Sequence, residues 1–177
     1  MRIFTRRAER YAALGPVSEE YYITSFGVGT VLVAGDLALE LELPDSAAVA
    51  PPSCPSSRWT HLLERYFAGE RVAFDLDVDA YADAHGSTDF ERDVYGALAR
   101  VPYGTAVSYR ELAAAAGRPL AYRAVGSAMA RNLLPLILPC HRVVRNDGRL
   151  GQYGDDPAWK ARLLELEGVP VAEGRLA

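Results

Sequence analysis

Short runs in the first half of the chain are either apolar or alternate between hydrophobic and polar residues. The segment "TVLVA" (30–34) is a short apolar run, and "LALELEL" (37–43) has leucine at every second position. A period of two is typical of strands with one buried face, and Gly35-Asp36 between the runs is a turn signal. The pattern predicts a β-hairpin here, and "VAFDLDV" (72–78), which also alternates, predicts another strand.

Between these strands the apolar residues take the spacing of a helix. Five large side chains fall on one helical face, and they are Trp59, Leu62, Leu63, Tyr66 and Phe67. Residues 44–57 have the composition of a loop, and residues 79–87 have that of a linker. The first part of the chain, residues 1–87, is therefore predicted to form a small α+β domain.

Residues 88–177 have a mostly helical pattern and are predicted to form a second domain. Thr or Ser followed three residues later by Glu, at 88–91 and at 108–111, is a capping-box signal that opens a helix. Another helix is predicted over 121–132 after a Gly/Pro turn, and two short helices around such a turn indicate a helix-turn-helix. A terminal helix is predicted over 158–168.

Composition narrows the class of protein. Half of the 177 residues are hydrophobic, but no apolar stretch approaches the roughly 20 residues of a membrane-spanning helix. The N-terminus is basic and lacks the apolar core of a secretory signal. Two cysteines far apart do not make a disulfide framework. We expect a reduced, cytoplasmic protein that does not contact a membrane.

Charge is distributed unevenly around a net charge of −4. Residues 1–88 hold seven Lys or Arg against thirteen Asp or Glu, whereas residues 100–149 hold eight arginines against Glu111 and Asp147. The second segment contains the predicted helix-turn-helix and has a net charge of +6. Such a segment is either a solvated basic face or the footprint of a nucleic acid.

One of the two cysteines, Cys140, stands at the end of "LLPLILPC" (133–140), which predicts a buried extended segment. A buried cysteine is usually a small hydrophobic residue, but a histidine beside it can take its proton and leave a nucleophilic thiolate. Adjacent side chains on a strand point to opposite faces, so a Cys140–His141 pair requires a turn at this point. Glu167 in the terminal helix is a candidate to orient the histidine.

A metal set is the other candidate chemistry, and it would use Cys54, His61 and His85. Their spacing matches no standard zinc pattern. Cys54 also lies in a loop rich in proline and serine. The sequence therefore predicts no metal site.

The second domain resembles, without a gap from about residue 88 to 168, the O6-alkylguanine-DNA alkyltransferase family of suicide DNA-repair proteins. The matching stretches are "VPYGTAVSYRELA" (101–113), "YRAVGSAMARN" (122–132), "LPLILPCHRVV" (134–144), "QYG" (152–154) and "KARLLELEG" (160–168). The first domain resembles the small sheet domain of that family more loosely.

The resemblance implies an α+β fold with a small N-terminal antiparallel-sheet domain, ribonuclease-H-like, and a mostly helical, winged-helix-like C-terminal domain. It implies irreversible, single-turnover transfer of an alkyl group from O6-alkylguanine, and by extension O4-alkylthymine, in DNA to Cys140. No cofactor is implied. The partner would be double-stranded or single-stranded DNA that contains alkylated guanine, bound by a monomer that is then nucleoid-associated.

The family's roles in the chemistry transfer residue by residue. Cys140 would accept the alkyl group, and His141 would act as its base through a water, held with Glu167. Asn132 would brace the helix-turn-helix against the active-site segment.

The family's pocket also transfers. Tyr109 and Lys160 would lie over the flipped base, and Lys160 is the only lysine in the chain. The backbone of Val143, with that of the cysteine, would read the exocyclic amine. Tyr153 and Gly154 would border the alkyl group.

The DNA-binding roles fall on the predicted helix-turn-helix. Arg123 would enter the duplex stack, and Gly126 would let the recognition helix lie close to the groove. Tyr122, Arg110 and Arg131 belong to the same expected DNA surface.

Two places depart from the family pattern. Tyr122 replaces a small residue before the intruding arginine, and Asp155 and Asp156 stand in a loop that is commonly small and rich in glycine. We expect these residues to weaken duplex binding relative to single strands. Two alternatives stay open, namely a non-catalytic sensor of alkylated DNA and a thiol alkyl acceptor that acts on a non-duplex or bulky substrate.

Overall fold

The computed structural model describes residues 7–154 and 156–177, so the predicted role of Asp155 lies outside the described residues. The chain divides into two compact units, the N-terminal unit Met1–Gly86 and the C-terminal unit Ser87–Ala177. Within the described residues, no helix is long and apolar enough to cross a membrane. The fold is α+β, as predicted.

The N-terminal unit contains a three-stranded antiparallel sheet in the order β1 (Val17–Thr24), β2 (Gly27–Ala34) and β3 (Leu37–Asp45). The predicted hairpin is confirmed, and Gly35 at its turn has a φ of 58°, which glycine adopts without strain. The alternation did not reveal β1, because its buried positions include Glu20 rather than a run of aliphatic residues.

The predicted helix is α1 (Arg58–Phe67), which packs on β1 and buries Trp59 and Leu63. The strand predicted over 72–78 is wrong. Val72 and Leu76 are buried, but the segment forms no strand within the described residues. Its alternation therefore reflects only the burial of these apolar side chains in an irregular segment.

The linker predicted over 79–87 is also wrong over most of its length. It contains α2 (Val78–Ala84), which opens on Asp77, whose side chain accepts a hydrogen bond from the backbone N–H of Ala80. The helix buries Tyr81, so packing rather than composition fixes this segment. A 3₁₀ turn, Ala12–Leu14, lies before the sheet.

A buried polar cluster ties the start of this unit to its end. Glu40 on β3 accepts hydrogen bonds from the Arg7 side chain at 2.6 Å and from the Tyr11 hydroxyl at 2.7 Å. The same hydroxyl lies 2.9 Å from Nε2 of His85, whose Nδ1 lies 2.7 Å from the Tyr81 carbonyl. Burial, the largest influence, lowers the pKa of His85, while the charge of Glu40 raises it.

The C-terminal unit is mostly helical, with short strand pairs. Its elements are α3 (Asp89–Ala99), β4 (Val107–Ser108), α4 (Tyr109–Ala115), α5 (Tyr122–Ala130), a 3₁₀ turn at Cys140–Arg142, β5 (Val143–Val144), α6 (Ala158–Leu166), β6 (Val171–Ala172) and β7 (Arg175–Leu176). Both predicted capping boxes are present, at the starts of α3 and α4. The terminal helix is confirmed as α6.

The predicted helix-turn-helix is α4 and α5, which pack on each other and on α3. Gly117 ends the first helix with a φ of 71°. Beyond α5, the buried segment 133–140 was predicted to be extended, and that is wrong. It is a series of turns, with Leu136 buried at a φ of 74°, because Leu138 bonds back to the Leu134 carbonyl at 2.8 Å.

We predict that acid destabilises the N-terminal unit through His85. Because the folded state lowers its pKa below the ordinary 6.5, the unfolded chain binds more protons as pH falls through that value, and the free energy of unfolding falls. Urea unfolding at pH 7.5 and 5.5 should give a smaller pH-dependent loss for His85→Phe than for the wild type. His61→Phe, at an exposed histidine, is the matched control. Equal losses in the wild type and His85→Phe would contradict the prediction.

Candidate active site and nucleic-acid surface

The turn that the chemistry requires is present at Cys140. The residue opens the 3₁₀ turn, and its backbone N–H bonds to the Leu138 carbonyl at 2.7 Å. The backbone N–H of Arg142 then bonds back to the Pro139 carbonyl at 2.9 Å. The thiol is buried, with 9% of the residue's surface exposed. The turn therefore presents the thiol from a fixed backbone.

Asn132, just after α5, fixes the thiol from the side of the helix-turn-helix. Its amide nitrogen lies 3.1 Å from Sγ of Cys140 and donates to the Leu138 carbonyl at 2.9 Å, while its amide oxygen accepts from the Leu134 N–H at 3.0 Å. Two of these contacts connect the end of α5 to the segment that leads into Cys140, and the third orders the turn after α5.

Opposing influences act on the thiol. Burial raises the pKa of Cys140, and this is the largest influence. Hydrogen bonds from Asn132 and Tyr153 and the charge of Lys160 stabilise the thiolate and lower the pKa, but they do not outweigh burial. A thiol in this setting needs a base before it becomes a strong nucleophile.

Beside the thiol, the structure places a buried network that the sequence only partly predicted. Nε2 of His141 lies 2.8 Å from Glu167, as the candidate pairing required. Arg142 also binds Glu167, through two side-chain nitrogens at 2.8 and 2.9 Å, and donates to the Val101 carbonyl. The role of Arg142 was missed, although an arginine among buried apolar residues is itself a signal that a carboxylate lies nearby.

The network fixes protonation states. Burial alone would raise the pKa of Glu167, but hydrogen bonds from His141 and Arg142 outweigh it and lower the pKa to about 2. Burial lowers the pKa of His141, so the ring is neutral at pH 7. Since an ionised carboxylate only accepts, we assign the ring proton to Nε2, which makes Nδ1 the basic nitrogen.

Lys160 on α6 is almost fully buried. Its ammonium group donates to the Val143 carbonyl and lies 5.9 Å from the centre of the Tyr109 ring. Burial lowers the pKa of Lys160 to about 8, against the opposing charge of Cys140. The parallel pairing of β4 with β5 holds Tyr109 beside the cysteine turn. Lys160 therefore lies close to three other residues predicted to share its pocket, which are Tyr109, Cys140 and Val143.

The remaining predicted pocket residues behave differently. Tyr153 is buried, while Gly154 is exposed with a φ of 47°. The carboxylate of Asp156, predicted to repel DNA, accepts a hydrogen bond from the Ala158 N–H at 2.9 Å. The carboxylate thus binds the first backbone N–H of α6.

Ion pairs in the folded protein occupy part of the positive charge of the basic segment, residues 100–149. Four of its eight arginines have carboxylate partners, and these pairs are Arg118–Asp93, Arg131–Glu91, Arg142–Glu167 and Arg149–Asp147. Arg110 and Arg123 have no carboxylate within ion-pair distance in the described residues, and they flank Tyr122. Arg131, predicted to contact DNA, is therefore already neutralised by α3.

Gly126 on α5 faces the Tyr109 ring at the start of α4. A Cβ at this position would lie 4.0 Å from the nearest ring carbon of Tyr109, which is an ordinary van der Waals contact, so this packing does not itself require glycine. No group of three His, Cys, Asp or Glu side chains that could hold a metal ion occurs in residues 7–154 and 156–177.

The fold and the site together define a class of protein in which a helix-turn-helix is joined to a buried, hydrogen-bonded cysteine. The family model described as "6-O-methylguanine DNA methyltransferase, DNA binding domain" matches residues 89–169. The chain is similar to a methylated-DNA--protein-cysteine methyltransferase of Methanosarcina acetivorans, with 36% identity over 159 residues, 84% of this chain and 97% of the relative.

A second relative, from Methanosarcina barkeri, is 45% identical over 105 residues, which cover 59% of this chain and 63% of the relative, just under two thirds of its length. A crystal structure of Mycobacterium tuberculosis OGT in complex with DNA aligns with a TM-score of 0.68 and 32% identity over 85% of this chain and 92% of that one. The chain belongs to the methylated-DNA--protein-cysteine methyltransferase family.

We predict that Asn132→Ala shifts the reactivity of Cys140 to higher pH. The variant lacks a hydrogen bond that stabilises the thiolate, so the pKa of Cys140 should rise further. The rate of alkylation by iodoacetamide, read by peptide mass at each pH, should show the shift at Cys140, with Cys54 as the internal reference. The exposed Asn146→Ala is the matched control. An unchanged profile at Cys140 would refute the prediction.

We also predict that Arg142→Met is strongly destabilising. Removing one partner leaves the buried Glu167 carboxylate short of its cation, which typically costs about 3–5 kcal/mol. The exposed pair Arg149–Asp147 provides the control, since Arg149→Met should cost at most about 1 kcal/mol. Urea unfolding of both variants measures the difference, and similar losses would show that the buried pair has no special weight.

Proposed function

We propose that this protein repairs DNA by taking the alkyl group of O6-alkylguanine onto Cys140, once and irreversibly. The observation that carries the proposal is the buried thiol of Cys140 held by Asn132, with the His141–Glu167 pair beside it, in a chain of this family. We propose a domain division at residues 1–87 and 88–177, with the second domain carrying both DNA binding and alkyl acceptance.

The reaction needs both a strong nucleophile and a stabilised leaving group. His141, neutral and held by Glu167, takes the proton of the thiol through a water. The sulfur then forms a bond to the alkyl carbon while the carbon–O6 bond breaks, and its electron pair stays on guanine. The hydroxyl of Tyr109 and the ammonium group of Lys160 donate hydrogen bonds or a proton to the departing base.

The product explains the single turnover. A thioether is not cleaved by a second thiol, so each molecule reacts once and no cofactor takes part. The alkylated base must first leave the helix, which costs a few kcal/mol in duplex DNA. Arg123 fills the gap, and Arg110 binds the phosphate backbone. O4-alkylthymine, with the same kind of leaving group, is a second substrate.

DNA is the proposed partner because two arginines of the helix-turn-helix, Arg110 and Arg123, have no carboxylate partner in the described residues. The family model covers this region, and the similar Mycobacterium tuberculosis protein was crystallised with DNA. We propose that the protein acts as a monomer in the cytoplasm, associated with the nucleoid when bound.

The expected outcome is a mass increase of one methyl group per molecule. The full chain is incubated with an excess of an oligonucleotide that contains O6-methylguanine, and its intact mass is measured. Cys140→Ala should gain nothing, whereas Cys54→Ala should react like the wild type. Continued turnover, or the label on Cys54, would refute the proposal.

A further inference from the structure

The start of α5 carries an apolar surface that the proposed chemistry does not use. Leu120 is 91% exposed and Tyr122 is 38% exposed. Of the large hydrophobic side chains that are exposed in the described residues, these are the two in the C-terminal unit, and they lie two positions apart. Exposed apolar side chains are not significant one by one, so the charges around this pair have to show whether it is a contact surface.

The charges around this surface select its partner. The guanidinium carbons of Arg110 and Arg123 lie 5.7 and 6.0 Å from the centre of the Tyr122 ring. These distances are at the outer limit of a cation–π contact, so the arginines border the ring without covering it tightly. Neither arginine has a carboxylate partner in residues 7–154 and 156–177, whereas Arg118 and Arg131 on the same helix pair are neutralised from α3.

The position of Tyr122 connects this surface to the reactive cysteine. Tyr122 and Gly126 are four residues apart, so they share a face of α5. Gly126 is the residue of that face that lies against the Tyr109 ring, and Tyr109 lies next to Lys160. The aromatic ring is therefore about one helical turn, roughly 5.4 Å along the axis, from the wall of the pocket.

We propose that Tyr122, with Leu120 beside it, is a stacking surface for an unpaired base that neighbours the alkylated guanine in the same strand. An aromatic ring bordered by arginines is the arrangement that binds single-stranded nucleic acid, because every base has a face to stack and every phosphate a charge to meet. In a paired duplex the neighbouring base is already stacked on its own neighbours, so contact with Tyr122 gains little. The residue thus favours lesions in single-stranded or locally unpaired DNA.

This inference rests on the proposed function only for the identity of the lesion. Binding is therefore measured separately from methyl transfer, in a Cys140→Ala background, by fluorescence anisotropy with an unmodified single-stranded oligonucleotide and with the same strand in a full duplex. We expect Tyr122→Ala to weaken single-strand binding about fivefold or more and duplex binding less than about twofold, in line with the loss of one stacked base.

Companion variants separate stacking from other effects. Tyr122→Phe should bind single strands like the wild type, and Tyr122→Leu should behave like Tyr122→Ala, since it keeps apolar volume without a ring. Leu120→Ala should weaken single-strand binding in the same direction, whereas Val49→Ala, at an equally exposed residue of the N-terminal unit, should change nothing. Equal losses on both forms of DNA, a larger loss on duplex, no loss, or rescue by leucine would each overturn the proposal.

Methyl transfer to Cys140 supplies the second readout. With O6-methylguanine in a single strand, Tyr122→Ala should lower the transfer rate more than with the same lesion in a duplex. If the wild-type chain transfers methyl groups but Tyr122→Ala shows no such difference, the stacking surface is refuted and the alkyl transfer stands. If the wild type transfers none, the alkyl transfer is refuted, and the binding measurements still decide the role of Tyr122.

Discussion

One buried carboxylate, Glu167, holds the active-site side of the C-terminal unit together. It accepts hydrogen bonds from His141 and Arg142 of the cysteine turn and from the backbone N–H of Gly104, and it stands at the end of α6. Three segments far apart in sequence therefore converge on two oxygen atoms. A buried charge is tolerated only when it is paired and fully hydrogen-bonded, so these partners are constrained together.

The same constraint shapes the chemistry of Cys140. Because Arg142 neutralises Glu167, the carboxylate can stay ionised and His141 can stay neutral, which is the state in which a histidine accepts a proton. Burial makes the thiol a weak acid at rest, and the donors Asn132 and Lys160 reduce that penalty. The thiol is therefore held largely protonated until a base removes its proton.

On the surface of the helix-turn-helix, ion pairs also decide which arginines keep an unpaired charge. Carboxylates of α3 bind Arg118 and Arg131, which leaves the arginines around Tyr122 to meet an anionic partner. Net charge over a sequence window cannot separate these two groups of arginines, because the neutralising carboxylates belong to a helix outside the window. The positive surface of the helix-turn-helix is consequently smaller than the sequence indicates, and Arg110 and Arg123 beside Tyr122 belong to it.

Local signals in the sequence were sufficient for much of the fold. The capping boxes at Thr88 and Ser108 and the hairpin at Gly35 depend on neighbouring residues alone, so they could be predicted. Local alternation failed at 72–78, because a strand needs a partner that the pattern does not supply. Composition failed at 79–87, where buried Tyr81 stabilises a helix in a segment of linker composition.

The site divides in the same way. The cysteine, its histidine and the candidate glutamate could be found from residue types and motifs. The ion pair of Arg142 with Glu167 joins residues 25 positions apart, and the pair of Arg131 with Glu91 joins residues 40 positions apart. The hydrogen bond from the Ala158 N–H to Asp156 depends on how the backbone is placed before α6. The sequence by itself determined which residues can do chemistry. Only the tertiary structure decided which charges are neutralised, because pairing depends on distances that chain connectivity does not specify.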